Sequence, residues 1–142
     1  MGATRFSKGC FILLVLIVIQ AGMAKIYSTA DSTRMQFEPP QPRPGQEVTV
    51  IYDPSSGPLS GEKEFFLIYG FTAWDTAIER QKQIRLEPRN GKFVVKLNLP
   101  PEATYIWCFG RGPKEDLEDT NDGAWWDSYL FTAEGIPVQG AR

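Results

Sequence analysis

The chain has 142 residues, with 15 lysines and arginines against 17 aspartates and glutamates, and it contains no histidine. The lack of histidine excludes Ser-His and Cys-His nucleophile pairs as well as histidine-ligated metal sites. The slight acidic excess argues against nucleic acid and anionic membrane surfaces as partners and favours a neutral ligand or a protein.

The N-terminal segment, residues 1–24, is typical of a secretory signal peptide. Arg5 and Lys8 form its basic region, and an uninterrupted apolar run follows. Gly22 and Ala24 supply the small side chains that precede a cleavage site after Ala24. The protein is therefore expected to be secreted or periplasmic. The alternative is an uncleaved signal anchor, the one case in which we expect contact with a membrane.

Residues 25–46 are predicted to form a proline-rich flexible tether. Its prolines force an extended backbone and remove hydrogen-bond donors. These are Pro39, Pro40, Pro42 and Pro44. A short edge strand at residues 35–37 is compatible with this segment.

The central strand of the following domain is predicted at residues 65–69, an unbroken apolar and aromatic run. The run is too short for a typical helix and is rich in residues that favour strands. Because side chains alternate along a strand, Phe66 and Ile68 should share one face, and Leu67 and Tyr69 the other. A strand that is apolar on both faces is sandwiched between layers or carries something on its outer face.

Other strands are predicted from alternating or aromatic segments on both sides of this run. They are residues 48–52, 83–87, 93–99, 105–109 and 125–131. Asn90-Gly91 predicts a hairpin, because both residues tolerate a positive φ, whereas residues 76–82 are predicted to be a loop. The fold class that follows is all-β, an immunoglobulin-like two-sheet β-sandwich at residues 47–133 with a C-terminal tail at 134–142.

Cys108 is the one cysteine of the sequence outside the leader, and it lies within a predicted aromatic strand. We expect it to be a small buried apolar side chain rather than a reactive thiol. Its neighbour Trp107 is expected to fill the core of the sandwich.

Aromatic residues near strand ends are the candidate ligand-binding groups. A flat indole or phenol ring offers an apolar face to the C–H groups of a sugar, whose hydroxyls need polar partners at the rim. Trp74 follows the central strand. Trp125 and Trp126 are adjacent, so within a strand one should face the core and the other outward. The alternative is that all these rings fill the core.

Residues 114–123 form an acidic segment in which Asp119, Asn121 and Asp122 are potential oxygen ligands for calcium. Their spacing matches no complete calcium loop, so a solvated loop is favoured and no metal or cofactor is expected. Nothing in the sequence brings Asp75 and Asp119 together as a catalytic carboxylate pair, so enzymatic activity is not expected.

The order and spacing of several motifs resemble the starch-binding carbohydrate-binding modules of families 25 and 53. The motifs that carry the resemblance are Val48–Pro54, Tyr69–Trp74, Gly91–Phe93, Leu99–Ala103, Tyr105–Phe109 and Asp119–Gly123. The sequence departs from the family at Ile68, Thr72 and Glu118, where the family pattern has His, Asn and Trp. The resemblance implies a non-catalytic module that binds starch or another α-glucan polysaccharide.

On this hypothesis, Trp74 stacks on the glucan. Further contacts are assigned to Tyr69, Trp125 or Trp126, with Thr72, Asp75 and Asn121 at the polar rim.

A second resemblance is to the N-terminal domain of secreted thioredoxin-like proteins of Bacteroidetes, carried by residues 44–61 and 135–141. The sequence lacks the Cys-x-x-Cys of a thioredoxin. The alternative function is therefore an extracytoplasmic immunoglobulin-like module that interacts with a protein and does not bind sugar.

Overall fold

The computed structural model describes residues 33–73 and 76–138, without the side chains of residues 76, 79 and 80. The predicted signal peptide and the first part of the predicted tether lie outside the described residues. The same holds for Trp74, Asp75 and the end of the predicted tail, residues 139–142.

The described residues form nine β-strands and no helix. The strands are β1 (Met35–Glu38), β2 (Glu47–Tyr52), β3 (Phe66–Ala73), β4 (Thr76–Arg85), β5 (Glu87–Arg89), β6 (Lys92–Asn98), β7 (Tyr105–Arg111), β8 (Glu118–Asp119) and β9 (Trp126–Tyr129). They make two antiparallel sheets that enclose one apolar core, which confirms the predicted all-β two-sheet sandwich. Within the described ranges, no helix has the length and apolar character to cross a membrane.

The first sheet has the strand order β1-β2-β6-β5. Its strand β1 pairs with β2, where Met35 lies opposite Tyr52, and the Met35 side chain is buried in the core. Pro42 is also buried. The short edge strand that the sequence allowed at residues 35–37 is thus present as β1. The sandwich therefore begins near Met35 rather than at Glu47.

In the second sheet, β3 lies between β4 and β7. The other edge of β7 pairs with two short strands, β9 along its first part and β8 at its end. Strand β4 includes residues 76–82, so the loop predicted there is wrong. The strand lies at the edge of the sheet, where outward side chains face water and need not be apolar. Ile78 and Ile84 supply its contacts with the core.

The predicted hairpin connects β5 and β6. Asn90 and Gly91 have φ angles of 52° and 77°, and Arg89 pairs with Lys92 across the turn. Both turn residues adopt the left-handed conformation that asparagine and glycine tolerate best. The Asn-Gly prediction is therefore confirmed.

The core is formed by the inner faces of both sheets. From the first sheet it receives Val48, Val50, Tyr52 and Leu97, and from the second Leu67, Phe71, Ile106 and Cys108. Cys108 is completely buried, as predicted. The alternation predicted for β3 is also confirmed: Leu67 packs inside the sandwich, and Ile68 is directed to the outer side of the second sheet.

Candidate ligand-binding face

Trp107 lies on the outer face of the second sheet. Along β7, Ile106 and Cys108 belong to the core and are fully buried, so Tyr105, Trp107 and Phe109 point to the opposite side. The expectation that Trp107 fills the core is therefore wrong. A residue between two buried residues of a strand belongs to the other face, and here that face is the outside of the sandwich.

Trp125 completes a cluster of rings on this face, which we call the indole platform (Trp107, Phe109 and Trp125). The Trp125 ring centroid lies 4.9 Å from that of Trp107 and 5.5 Å from that of Phe109. The rings of Trp107 and Phe109 are nearly parallel, with an angle of 13° between their planes. Trp125 is 42% exposed. The platform therefore offers an aromatic surface to solvent.

Ile68 forms part of the base of the indole platform. It pairs with Phe109, and it is completely buried although it points away from the core. Arg111 donates hydrogen bonds to Glu118 Oε1 at 2.6 Å and, across β3, to Gln83 Oε1 at 3.0 Å. This bridge passes over the outer side of β3. The second apolar face predicted for the central strand thus supports the platform.

A second pair of rings, the tyrosine pair (Tyr105 and Tyr129), lies further along the same face. The two residues are directly opposite each other on β7 and β9, with ring centroids 5.5 Å apart, and Tyr129 is 62% exposed. The Tyr105 hydroxyl donates a hydrogen bond to the Asp127 carboxylate. Burial, and then this hydrogen bond, raise the pKa of Tyr105, so its hydroxyl stays protonated at neutral pH.

The position of Trp125 depends on an unusual backbone conformation. Its φ is 56°, in the left-handed region that tryptophan rarely adopts. Its N–H donates to the Thr120 carbonyl at 2.9 Å, and its own carbonyl accepts a 3.1 Å hydrogen bond from Asn121 Nδ2. Asn121 is only 3% exposed. Asn121, predicted for the polar rim, is instead a buried residue that positions Trp125.

The same loop is anchored to the core by Asp119, whose side chain is completely buried. Asp119 accepts hydrogen bonds from the Tyr52 hydroxyl at 2.8 Å, from Arg34 Nε at 2.9 Å, and from the Asn121 N–H at 3.2 Å. The Arg34 guanidinium also lies 5.5 Å from the ring centroid of Trp126. The carboxylate is therefore engaged by the protein itself. Among the described residues, no three side chains of the Asp, Glu, Cys and His types group as metal ligands.

The remaining predicted site residues are not gathered in one place. Trp126 belongs to the core, as expected for one of the two adjacent tryptophans, and cannot offer a ring to a ligand. Tyr69 is half-buried and packs against the core, 5.4 Å from Phe71, on the side of β3 away from the indole platform. Thr72 is half-buried and pairs with Tyr105 at one end of the outer face. Trp74 lies outside the described residues, as does Asp75.

Sequence reasoning thus found Trp125 but missed several residues of this face. The residues of this face that were not assigned to the predicted site are Tyr105, Trp107, Phe109, Asp127 and Tyr129. The alternation within residues 105–109 was the signal that could have identified the first three, since three rings alternate with isoleucine and cysteine. Small and branched apolar side chains on one face and large rings on the other indicate two different environments.

No family model matches this chain. It is 25% identical over 125 residues to soluble starch synthase 3, chloroplastic/amyloplastic, of Solanum tuberosum. The match covers 86% of this chain and 10% of the synthase, so the chain spans about a tenth of that protein's length. The similarity to a starch-related protein agrees with the broad prediction, whereas membership in families 25 and 53 is not confirmed.

Proposed function

We propose that this protein is a non-catalytic module that binds starch or another α-glucan through the outer face of its second sheet. The observation that carries the proposal is the indole platform, in which Trp125 lies 4.9 Å from Trp107 and keeps 42% of its surface exposed. The distant similarity to a starch synthase favours starch among the possible sugar polymers.

Aromatic rings that a protein holds at its surface favour a binding role. The C–H groups of a pyranose ring fit against an indole face, and its hydroxyls require polar partners beside that face. Asp127 supplies such a partner, because its carboxylate is exposed next to Trp107 in the strand register. This combination suits a neutral polyol better than an anion, and its binding should depend little on salt.

We include Trp74 in the proposed site, as the family resemblance implies. Thr72, two residues earlier, pairs with Tyr105, which places this part of β3 beside the aromatic face. Asp75 is retained with it as a proposed rim residue.

Affinity electrophoresis in gels that contain soluble starch tests the proposal. The protein should be retarded, and Trp125→Ala should weaken retardation at least about 10-fold, because central aromatic residues dominate binding at such surfaces. The matched control is Ile136→Ala, since Ile136 is also exposed, at 57%, but lies outside the aromatic face. Unretarded wild-type protein, or equal retardation of Trp125→Ala and Ile136→Ala, would contradict the proposal.

The absence of turnover is part of the same proposal. Incubation with amylose should release no more reducing ends than buffer alone. Sustained release that scales with protein concentration would make the module an enzyme instead.

A protein partner is the second candidate, because tryptophan and tyrosine are also enriched in protein interfaces. The exposed rings of Trp125 and Tyr129 fit that role as well. The two functions separate in the gel assay: a protein-binding module should migrate past starch unretarded in every variant.

We further propose that the protein is exported and cleaved after Ala24. The N-terminal sequence of protein recovered from the expressing cells' exterior or periplasm should then begin at Lys25. Recovery of the intact leader in a membrane fraction would favour the signal anchor.

A further inference from the structure

Two groups of rings lie in line on the outer face of β7. Tyr105 of the tyrosine pair and Phe109 of the indole platform are on the same side of one strand. An antiparallel strand rises about 3.4 Å per residue, so the two positions are about 14 Å apart, with Trp107 between them on the same face. In each group the member contributed from outside β7, Tyr129 at 62% and Trp125 at 42%, is the more exposed ring.

A polar group lies beside Trp107, at the middle of this row of rings. Asp127 is opposite Trp107 in the register of β7 and β9, and its neighbours on that face of β9 include Tyr129. The Tyr105 hydroxyl donates to its carboxylate, which ties the acceptor to the tyrosine pair. From Trp125 along β9, the face therefore presents a ring at Trp125, a carboxylate at Asp127 and a ring at Tyr129.

We infer that this face is a two-station site for an extended, neutral sugar chain. Trp125 stacks on one sugar ring, Tyr129 stacks on another ring of the same chain, and Asp127 accepts a hydrogen bond from a hydroxyl between them. This inference rests on the proposed glucan binding. It adds that the protein contacts two separate sugar rings of the same chain.

The distance between the stations sets the selectivity. A mono- or disaccharide that stacks over Phe109 and Trp125 is too short to engage Tyr129, because Tyr129 lies opposite Tyr105, about 14 Å from Phe109 along β7. A longer chain that is bound at one station presents its next residues to the other at high effective concentration. Affinity should therefore rise steeply once the chain is long enough to span both stations.

The charges on the face favour an uncharged chain. Asp127 would repel a uronic acid or sulfated sugar at the middle of the row. The nearby cation Arg111 is held by Glu118 at 2.6 Å and by Gln83 at 3.0 Å. The Asp127 carboxylate would therefore repel the acidic groups of such a polysaccharide, whereas it can accept a hydrogen bond from a hydroxyl of a neutral sugar.

The tyrosine pair also has a simpler role, since cross-strand aromatic pairs stabilise antiparallel strands. That role requires the contact between Tyr105 and Tyr129 but not the open outer surface of Tyr129. A ring that is 62% exposed still has a face available for stacking. The binding experiment separates the two roles.

Isothermal titration of the full chain with maltose, maltotriose and maltoheptaose tests the inference. Wild-type protein should bind maltoheptaose at least 10-fold more tightly than maltose. Tyr129→Ala should lose most of that gain, weakening maltoheptaose far more than maltose, whereas Trp125→Ala should weaken all three sugars. Tyr129→Phe, which keeps the ring, should retain the gain, and Ile136→Ala should behave as wild type.

The outcomes distinguish this inference from the proposed function. If Tyr129→Ala is folded by circular dichroism and binds maltoheptaose as wild type does, the face has one station and the inference fails, while glucan binding stands. If wild-type protein binds none of the three sugars and is not retarded by starch, both fail. If Tyr129→Phe loses as much as Tyr129→Ala, the hydroxyl rather than the ring is recognised, and the stacking role is overturned.

Discussion

The hydroxyl of Tyr52, on the first sheet, donates a 2.8 Å hydrogen bond to the carboxylate of Asp119, on the second. Both side chains are completely buried. Asp119 also accepts from the backbone of Asn121, which in turn holds the carbonyl of Trp125. Three successive hydrogen bonds thus connect Tyr52, in the buried core, to Trp125, the most exposed of the described tryptophans.

Removing the carboxylate should destabilise the whole sandwich. Asp119→Ala removes the buried carboxylate that accepts from the Tyr52 hydroxyl and, at 2.9 Å, from Arg34, so the free energy of unfolding should fall by about 3–5 kcal/mol. Urea denaturation followed by tryptophan fluorescence measures this. The control is Glu47→Ala, which breaks the exposed 3.0 Å pair with Lys96 and should change stability by less than about 1 kcal/mol. Similar losses in both variants would show that the buried Asp119 carboxylate contributes no more to stability than an exposed ion pair does.

Stability should also fall at alkaline pH through Tyr52. Burial, and then the hydrogen bond to Asp119, raise the pKa of Tyr52, so above pH about 10 its hydroxyl ionises only in the unfolded chain. The unfolded state then binds fewer protons, and the free energy of unfolding falls by at most about 1.4 kcal/mol per pH unit from this residue.

Tyr52→Phe separates this contribution. At pH 8 the variant should be less stable than wild type, because it lacks the bond to Asp119, and the difference should shrink between pH 10 and 11. Urea denaturation across that range measures it. A difference that stays constant with pH would show that Tyr52 does not cause the alkaline loss. Tyr105, whose pKa is also raised, affects both proteins equally.

Truncation of the two adjacent tryptophans should have different effects on stability and binding. Trp126 is 5% exposed within the core, so Trp126→Ala should lower the free energy of unfolding by about 3–5 kcal/mol. Trp125 packs on the outer face, so Trp125→Ala should lower it by about 1 kcal/mol and remove the starch retardation. Chemical denaturation of both variants provides the comparison. Equal destabilisation would mean that the indole platform is a second structural core.

Asn121 should affect binding through the position of Trp125. Asn121→Gly tolerates the φ of 54° at this residue but removes the amide that donates to the Trp125 carbonyl. We expect starch affinity to fall several-fold and the near-ultraviolet circular dichroism of the coupled indoles to weaken. Asp122→Asn is the control in the same loop, since asparagine also tolerates the φ of 55° there. Unchanged spectra with weaker binding would instead make Asn121 a direct ligand contact.

Cys108 should be inert in the folded protein. Its side chain is completely buried, and burial raises the pKa of the thiol, so the reactive thiolate is scarce. A disulfide reagent at pH 8 should label Cys108 only as the protein unfolds, with Cys108→Ala measuring the background from Cys10. Rapid labelling under native conditions would contradict the burial.

Much of the fold was predictable because its determinants are local. Alternation identified β2, β6 and the two faces of β3, and the Asn90-Gly91 pair identified the hairpin from the φ angles that these residues tolerate. Residues 76–82 of β4 were missed because an edge strand faces water on its outer side, so this part of the sequence lacks a strong alternating pattern.

By itself, the sequence determined that the protein is a two-sheet sandwich and that Cys108 is a core residue, because both follow from side-chain alternation and composition within short segments. The outward position of Trp125 does not follow from alternation, since β9 begins at Trp126 and Trp125 has a φ of 56°. The aromatic face arose only when β9 and the loop before it packed beside β7, because Trp107, Trp125 and the tyrosine pair belong to segments far apart in the chain. The burial of Asn121 has the same origin, since its loop is held by Tyr52 and Arg34 through a carboxylate that local sequence does not connect to them.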